Sequence, residues 1–360
     1  MFSRRTCLSW AAAAALGGPQ IVSAQVRGIP RIALGGLPTR VTEHRRLAAA
    51  LGLASLHAKR DDEAGATFGG SKARKLERLL AEALEMRRRA VLTFGGVGSN
   101  HALATAVHAR RLGLRAHLVL LHQAPTPEVR RHLLAAQHAG AVLHAGTRHD
   151  RDDPARAAAR LAPGESPMIL PMGGTCPLGT IGYVDAGFEL ADQIAAGQLP
   201  RPDVVYVAAG TTGTAAGLWV GLTAAGVGCR VVAVRTSSRA MASRARVAEQ
   251  VESTSALLRA ADPAFPRTPL DDRFRLEHRF VGSGYAQPTR AGRQAVELTR
   301  GDLTLDLTYT AKAFAALQAR APSHRGQAAL FWHTFDPRRP ETGGLTASDL
   351  PVGLRGYARE

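Results

Sequence analysis

Lysine is scarce in this sequence, which limits where chemistry that needs an amine nucleophile can take place. The chain has four lysines, namely Lys59, Lys72, Lys75 and Lys312. Two of them stand in segment 68–76, Phe-Gly-Gly-Ser-Lys-Ala-Arg-Lys-Leu, where the glycines end a loop and Ser71 is a suitable helix N-cap. Lys72 would then lie in the first turn of a helix, whose dipole disfavours a positive charge and so favours the neutral, nucleophilic amine. A surface helix with two ordinary lysines is the alternative.

A second group of candidates lies in loops that join apolar runs to helical patterns. Segment 93–101 contains three glycines followed by Ser99 and Asn100, which would cap a long helix and offer donors to a carboxylate. Segment 209–217 places three threonines among glycines at the start of a predicted helix. It lacks the lysine of a nucleotide P-loop and the spacing of G-x-G-x-x-G, so it fits a single phosphate monoester, with a packing turn as the alternative. A similar loop at 172–179 carries no signal by itself.

These loops are positioned by apolar runs that alternate with alanine-rich helical patterns, which is typical of an α/β fold with a mainly parallel sheet. The predicted strands are Val91–Phe94, Ala116–Leu121, Ala141–His144, Met168–Pro171, Val204–Ala208, Val231–Arg235 and Ala329–His333. The predicted helices lie near 72–87, 100–112, 127–139, 178–196, 214–225, 289–300 and 310–319. Segment 146–166 is predicted to be a loop-rich connection, and 238–278 is predicted to form surface helices. Ligands of such folds bind beyond the carboxyl ends of the strands, where the loops gather.

Composition excludes several classes of protein. Of the 360 residues, 45% are apolar and 21% are charged, which allows a large buried core and excludes general disorder. The net charge of +17 comes from arginines scattered over alanine-rich helices without interleaved aromatics, so nucleic-acid binding is not expected. Three cysteines are too few for a disulfide framework, and the 13 histidines show no H-E-x-x-H spacing, so no metal site is expected.

The N-terminus is predicted to be an export signal that covers residues 1–25. It has a charged start with Arg4-Arg5, a short and mildly apolar stretch, and small residues before a plausible cut after Ala24. The arginine pair resembles a twin-arginine signal, which predicts a periplasmic or otherwise exported protein. If the start is misassigned, a cytoplasmic protein is expected instead. The apolar stretch falls short of the roughly 20 residues that span a bilayer, so no membrane anchor is expected.

Several blocks occur in an order and spacing that resemble one enzyme family. They are Leu37-Pro38-Thr39, Lys59-Arg60-Asp61-Asp62, the Gly-Gly-x-Lys-x-Arg-Lys block, the Ser-Asn-His block, Pro177-Leu178-Gly179, Gly182-Tyr183, the threonine loop, Gly284-Tyr285, and Asp306 with Tyr309-Thr310-Ala311-Lys312. From about Ile32 to His333 the chain resembles the fold-type II pyridoxal-phosphate (PLP) enzymes, specifically the family of 1-aminocyclopropane-1-carboxylate (ACC) deaminase and D-cysteine desulfhydrase. The resemblance implies a tryptophan synthase β-like α/β fold of mainly parallel sheets flanked by helices, and a homodimer. It also implies a large PLP-binding domain at 26–74 and 195–360, and a small α/β domain at 75–194.

The resemblance further implies roles for individual residues. Lys72 would bind the aldehyde of pyridoxal 5'-phosphate covalently, with Ser71 as a cofactor contact beside it. The cofactor phosphate would lie on a cradle made of Gly210, Thr211, Thr212, Gly213 and Thr214, and the pyridine nitrogen would face Thr310. Contacts to a small amino-acid substrate would come from Ser99, Asn100, His101, Cys176 and Tyr285. The groups for proton transfer or stacking would be Ser99, Tyr285 and Tyr309.

Thr310 separates two branches of this family. A carboxylate at that position keeps the pyridine nitrogen protonated, whereas a neutral threonine leaves a shallower electron sink, which suffices for loss of a good leaving group. The expected reaction is therefore a D-cysteine desulfhydrase-like β-elimination that gives pyruvate, ammonia and sulfide. Alternatives on the same cofactor are ACC deamination, β-replacement, racemisation or another reaction of a D-amino acid. An alternative of another class is a catalytically degenerate periplasmic protein that binds PLP or an amino acid.

Several positions depart from the pattern of the family. Ser71 and Cys176 stand where asparagine is usual, and Gly98 stands where glutamine is usual. Ala286 and the pair Phe335-Asp336 stand where glycines are usual. The frame that holds the cofactor is thus expected to match the family, and the wall that contacts the substrate is expected to differ.

Overall fold

The computed structural model describes residues 28–358, so the predicted export signal at 1–25 lies outside the described residues. The described chain forms an α/β fold with two mainly parallel sheets flanked by helices, as the sequence predicted. Between residues 28 and 358, no helix combines the length and the apolar character that a bilayer crossing needs.

The strands of the described chain form one sheet of six and one sheet of four. They are β1 (Val41–Glu43), β2 (Ser55–Arg60), β3 (Ala90–Gly96), β4 (Arg115–Leu121), β5 (Val142–Ala145), β6 (Met168–Leu170), β7 (Val204–Ala209), β8 (Arg230–Arg235), β9 (Phe274–Glu277) and β10 (Ala328–His333). The larger sheet has the order β1-β2-β10-β7-β8-β9, and the smaller has the order β5-β4-β3-β6. Neighbouring strands are parallel, except that β1 is antiparallel to β2. The loops that follow the parallel strands of one sheet therefore gather at one edge of it.

Helices cover both sheets. They are α1 (Arg45–Leu51), α2 (Ser71–Glu85), α3 (Asn100–Arg111), α4 (Pro127–His138), α5 (Arg148–Asp152), α6 (Pro154–Leu161), α7 (Pro177–Ala195), α8 (Gly213–Ala224), α9 (Arg244–Ala261), α10 (Arg290–Thr299) and α11 (Thr310–Arg320). The seven strands and seven helices predicted from the sequence are all present, with ends shifted by at most two residues.

Two predictions about the connecting segments were wrong. Segment 146–166 contains helices α5 and α6, because its polar residues serve as helix caps. Thr147 forms a capping box at the start of α5, and Asp153 accepts a hydrogen bond from the first turn of α6. Segment 238–278 contains not only helix α9 but also strand β9, whose buried Phe274 extends the larger sheet beside β8.

Helices α7 and α8 pack closely because glycines lie where they meet. A Cβ atom added at Gly221 would lie 2.3 Å from the carbonyl oxygen of Val184, and one at Gly217 would lie 2.5 Å from that of Thr180. Buried side chains of both helices share a core with β7, β8 and β10 of the six-stranded sheet. Helix α7 falls almost entirely in the predicted small-domain range 75–194, yet it packs in the core of the larger sheet. The predicted domain boundaries stay a prediction.

We expect Gly221→Ala to destabilise the fold by about 1–3 kcal/mol, because the added methyl group meets the backbone of α7 in a filled core. An unhindered alanine in a helix would instead gain about 1 kcal/mol over glycine. The measurement is the free energy of unfolding in urea, with Gly356→Ala as the control, since the space around Gly356 is open. A free energy of unfolding that is unchanged or higher in Gly221→Ala would contradict this account of the helix contact.

Candidate active site

A cavity of about 260 Å³ lies where the carboxyl ends of strands from both sheets meet. Its walls come from the loop before α2, the loops after β3 and β7, and the segment after β10. Ten of the residues predicted for the site line it, namely Ser71, Lys72, Ser99, Asn100, His101, Gly210, Thr211, Thr214, Tyr285 and Tyr309. Four others lie outside this lining, namely Thr212, Gly213, Cys176 and Thr310. Across residues 28–358, no group of three or more potential ligands is placed to hold a metal ion.

Lys72 reaches the cavity from the first turn of α2, as the sequence predicted. The helix begins at Ser71 and its N-cap is Gly70, so the prediction that Ser71 is the N-cap was wrong. Gly70 has a φ of 53°, and a Cβ atom there would lie 2.6 Å from the carbonyl oxygen of Thr334, so the turn requires glycine. The side chain of Ser71 instead accepts a hydrogen bond from Lys72 Nζ, at 2.8 Å from its Oγ. Burial lowers the pKa of Lys72 to about 8 against an opposing effect of Asp306, so about half of the amine is neutral at that pH.

Arg74 anchors the first turn of α2 through a buried cluster of charges. Its guanidinium group donates to the two carboxylate oxygens of Asp61 at 2.8 and 2.9 Å, and to both oxygens of Glu189 at 2.9 Å. Tyr183 and Trp332 also donate to Asp61, at 2.9 and 2.7 Å. Burial would lower the pKa of Arg74, but the two carboxylates outweigh it and hold that pKa well above its ordinary value. The cluster therefore fixes the start of α2 against the end of β2 and against helix α7.

Lys75 is a second buried amine, which the sequence analysis did not assign to the site. It lies three residues after Lys72 on the same helix, and this spacing was the available signal. Its Nζ donates to the carbonyl oxygen of Gly173 at 3.1 Å and lies 2.9 Å from where a Cβ atom on Gly213 would be. Burial lowers the pKa of Lys75 well below its ordinary value, and Lys72 lowers it further. An anion bound between Lys75 and the start of α8 would oppose this shift, because an opposite charge favours the protonated amine.

The threonine loop joins β7 to the first turn of α8. Thr212 is the N-cap residue of this helix, and among the described residues its side chain makes no capping hydrogen bond. Thr211 accepts a hydrogen bond from Thr175 at 2.7 Å, and Thr214 lines the cavity one position into the helix. The first N–H groups of a helix lack intrahelical partners and bind phosphate well. Together with Lys75, the loop has the chemistry of a site for one phosphate group.

The loop after β3 presents polar groups that lack partners. Ser99 is the N-cap of α3, as predicted, and its hydroxyl group accepts from the N–H group of Ala102 at 3.2 Å. Within residues 28–358, Asn100 Oδ1 and both ring nitrogens of His101 are buried without a hydrogen-bond partner. Burial lowers the pKa of His101 well below its ordinary value, and two nearby lysines lower it further, so the ring is neutral. Because buried polar atoms are rarely left unpaired, these atoms indicate that a polar ligand completes the site.

Two tyrosines and a carboxylate line the cavity near the start of α11. The hydroxyl oxygens of Tyr285 and Tyr309 are 2.5 Å apart, and burial raises the pKa of both. Asp306 lines the cavity and accepts hydrogen bonds from the N–H groups of Thr308, Tyr309 and Thr310. The fully buried Thr310 donates its hydroxyl proton to Asp306 Oδ1 at 2.7 Å. The structure thus adds a negative charge beside Thr310 that the sequence analysis did not assign.

The residues present fit pyridoxal 5'-phosphate and an amino acid. A partly neutral amine is available for the aldehyde, and a buried lysine beside the start of α8 is available for the phosphate group. One unpartnered ring nitrogen of the neutral His101 is available to donate to a substrate carboxylate, whereas the unpartnered Oδ1 of Asn100 is available only to a donor group of a ligand. Cys176 lies at the N-cap of α7, outside the lining, so its predicted substrate contact stays a prediction to which this geometry gives no support.

Known proteins resemble the chain over most of its length. Residues 32–334 match the family described as "Pyridoxal-phosphate dependent enzyme". A nocardicin C-9' epimerase from Nocardia uniformis subsp. tsuyamanensis is 36% identical over 322 residues, which cover 86% of this chain and 94% of the relative. A D-cysteine desulfhydrase from Yersinia pestis (strain Pestoides F) is 33% identical, with 80% of this chain and 87% of the relative covered. The crystal structure of an ACC deaminase homologue matches with a TM-score of 0.74 and 30% identity, and covers 86% of this chain and 92% of that one.

These similarities confirm the predicted fold type and the predicted cofactor. They give no support to the alternative of a degenerate periplasmic binding protein. The chain therefore belongs to the pyridoxal-phosphate dependent enzymes of fold type II, in the group of ACC deaminase and D-cysteine desulfhydrase, and the cofactor of this family is pyridoxal 5'-phosphate.

Proposed function

We propose that the protein catalyses β-elimination on a small D-amino acid, with D-cysteine as the first candidate and pyruvate, ammonia and sulfide as the products. The observation that carries the proposal is the amine of Lys72, which lies in the cavity with a pKa of about 8 and a hydroxyl partner at 2.8 Å. When bound, pyridoxal 5'-phosphate supplies an electron sink for negative charge at the substrate Cα. Lys72 is suited to accept the Cα proton, because a general base works best when its pKa lies near the working pH.

Other residues in the cavity lining and beside it bind and orient the reactants in this proposal. The neutral His101 holds the substrate carboxylate, since one ring nitrogen of a neutral histidine donates a hydrogen bond, and Asn100 Oδ1 accepts from a donor group of the bound reactants. Thr214, the start of α8 and Lys75 hold the phosphate group. Tyr285 and Tyr309 have raised pKa values, so they keep their protons near neutral pH and can donate one toward the leaving group.

The preference for elimination rests on the neutral side chain of Thr310 and on one relative. Thr310 is neutral, which supports the loss of a good leaving group, and the relative named D-cysteine desulfhydrase supports the same class of reaction. The hydroxyl group of Thr310 donates a hydrogen bond to Asp306 Oδ1 at 2.7 Å and accepts one from the N–H group of Asp306 at 2.8 Å. The Thr310 side chain is fully buried and lies outside the cavity lining, so its part in the reaction rests on the resemblance to the family.

Epimerisation at Cα is a second candidate. It is favoured by the 36% identity to the relative named nocardicin C-9' epimerase. Inversion at carbon needs one group that accepts a proton and another that donates one. Lys72 and the hydrogen-bonded tyrosine pair supply two such groups in the cavity lining.

Two expectations concern the whole protein. We propose that it is a homodimer and that residues 1–25 direct its export by the twin-arginine route. Light scattering of the purified protein tests the first, and N-terminal sequencing of the protein recovered from the periplasm tests the second.

Product analysis with D-cysteine, L-cysteine and ACC tests the proposed reaction. We expect sulfide and pyruvate from D-cysteine, with a rate that Lys72→Ala lowers by about 100- to 10,000-fold, the usual contribution of a positioned general base. Lys72→Arg is the matched control for charge, and it should be as inactive as Lys72→Ala. Inversion at Cα with solvent deuterium uptake and no pyruvate would establish epimerisation in place of elimination. A PLP-loaded protein that transforms none of these amino acids and exchanges no Cα proton would contradict both candidates.

Cofactor uptake by the apo-protein should depend on pH with a midpoint of about 8, the pKa of Lys72. Below that pH the amine is mostly protonated and cannot attack the aldehyde, so uptake is slow; above it the rate levels off. The measurement is the rate at which the absorbance of lysine-bound cofactor appears, followed between about pH 6 and 10. Asp306→Asn should move the midpoint downward, since Asp306 raises this pKa. A rate without pH dependence in this range would contradict the assignment of Lys72.

Lys75→Met should weaken the binding of pyridoxal 5'-phosphate and leave the binding of pyridoxal, which has no phosphate group, unchanged. Methionine preserves the apolar volume of the buried side chain but removes the charge. The loss of a charge-assisted hydrogen bond costs about 1.5–3 kcal/mol, or about 10- to 150-fold in Kd. Fluorescence titration of wild type and variant with both ligands measures this. An equal loss for the two ligands would show that Lys75 does not contact the phosphate group.

A further inference from the structure

The segment after β10, residues 334–338, lies along the loop that leads into α2. The N–H group of Ser71 donates to the carbonyl oxygen of Thr334 at 3.2 Å. A Cβ atom on Gly70 would lie 2.6 Å from that carbonyl oxygen and 3.1 Å from the nitrogen of Asp336. The two stretches are therefore in direct backbone contact immediately before Lys72.

Asp336 binds this loop through its side chain. Its buried carboxylate accepts a hydrogen bond from the N–H group of Gly69 at 2.8 Å. The same carboxylate accepts from the backbone N–H, Nε and Nη2 of Arg338 at 2.9, 2.8 and 2.6 Å. A buried charge is tolerated when it is both paired and hydrogen-bonded, as it is here.

Arg338 extends the contact to the earlier part of the loop. Its Nη1 donates to the carbonyl oxygen of Gly65 at 2.7 Å, and its Nη2 donates to that of Ala64 at 2.9 Å. These residues belong to the stretch 64–70, which lies outside any helix or strand. The planar guanidinium group thus bridges the carboxylate of Asp336 to this loop. The loop is also held by His108 of α3, through the carbonyl oxygen of Phe68, and by backbone hydrogen bonds to residues 34 and 35.

Gly69 links Asp336 to Lys72 through hydrogen bonds of its two backbone groups. Its N–H group is bound by Asp336, and its carbonyl oxygen accepts the N–H group of Lys72 at 3.0 Å. We propose that Asp336 and Arg338 are positioning residues, which fix the loop 64–70 and thereby the direction in which Lys72 enters the cavity. The consequence for catalysis rests on the proposed role of Lys72, whereas the effect on the loop does not.

The effect of losing the pair follows from the geometry. Without Arg338, the carbonyl groups of Ala64 and Gly65 lose a donor and Asp336 keeps a buried, unpaired charge. The loop can then shift, and a displacement of about 1 Å at a reacting group costs about 100-fold in rate. Asp336 lines the cavity and Arg338 does not, so the loss of Arg338 should fall on kcat and leave KM nearly unchanged.

The test compares Arg338→Gln and Asp336→Asn with Arg339→Gln, which removes an exposed arginine one residue further on. Two quantities are measured on the holoenzyme: hydrogen exchange in the peptide covering residues 64–72, and the kinetic constants kcat and KM. We expect exchange in that peptide to be about 10-fold faster or more in the first two variants, because a charge-assisted hydrogen bond is lost. We expect kcat to fall by about 10- to 100-fold in both variants, at nearly constant KM in Arg338→Gln, and Arg339→Gln to match the wild type in every respect.

A conservative variant guards against loss of folding. Arg338→Lys keeps the charge but cannot bridge both carbonyl groups and the carboxylate, so its exchange and kcat should lie between those of wild type and Arg338→Gln. Exchange and kcat of Arg338→Gln equal to those of Arg339→Gln would overturn the proposal, as would a raised KM at unchanged kcat. If the protein binds no PLP, the proposed function fails, while exchange in the cofactor-free protein still decides whether the pair holds the loop.

Discussion

The buried guanidinium group of Arg74 is the contact on which the rest of the site depends. It joins three parts of the chain that are distant in sequence: the first turn of α2, Asp61 after β2, and Glu189 on α7. Burial would raise the pKa of Glu189, but Arg74 and Lys59 lower it to about 2, so this carboxylate stays charged in the interior. Breaking one partner of a buried ion pair costs about 3–5 kcal/mol. Lys72 lies two residues before Arg74, so its position is set by an interaction whose loss would cost much of the free energy of folding.

The first turn and a half of α2 carries three basic residues, and the electrostatic surroundings of Arg74 differ from those of Lys72 and Lys75. Arg74 points to carboxylates that keep it charged, whereas Lys72 and Lys75 are buried with pKa values lowered by desolvation. The same helix thus provides a structural cation and two buried amines, for which we propose an aldehyde as the ligand of Lys72 and an anion as the ligand of Lys75. Asp336 and Arg338 approach this turn from the other side, through the loop that precedes it. Two separate ion pairs therefore hold the short stretch that carries the reactive amine.

The sequence predicted the elements that position the site but not all of the side chains in it. Strands and helices with a clear apolar period were found within two residues of their ends, whereas β2 was missed because it contains the buried Lys59. The charge of Lys59 is compensated by Glu189, which is 130 residues away in the chain, so no local pattern could indicate its burial. Lys72 was found because lysine is rare and glycines precede it. The surroundings of Lys75 include Gly173 and the start of α8, which only the tertiary fold brings close. The contacts of Asp306 lie two to four residues later in the chain, so that local spacing was present in the sequence but received no role.

The central claim is that the amine of Lys72 carries pyridoxal 5'-phosphate. Its most direct test is reduction of the holoenzyme with borohydride, which makes a lysine-bound cofactor permanent, followed by digestion and mass spectrometry of the lysine-containing peptides. We predict that the cofactor-derived mass is found on Lys72 and on no other lysine. The label on Lys75 or Lys312, or no labelled peptide from a protein that was fully loaded with cofactor, would contradict the account.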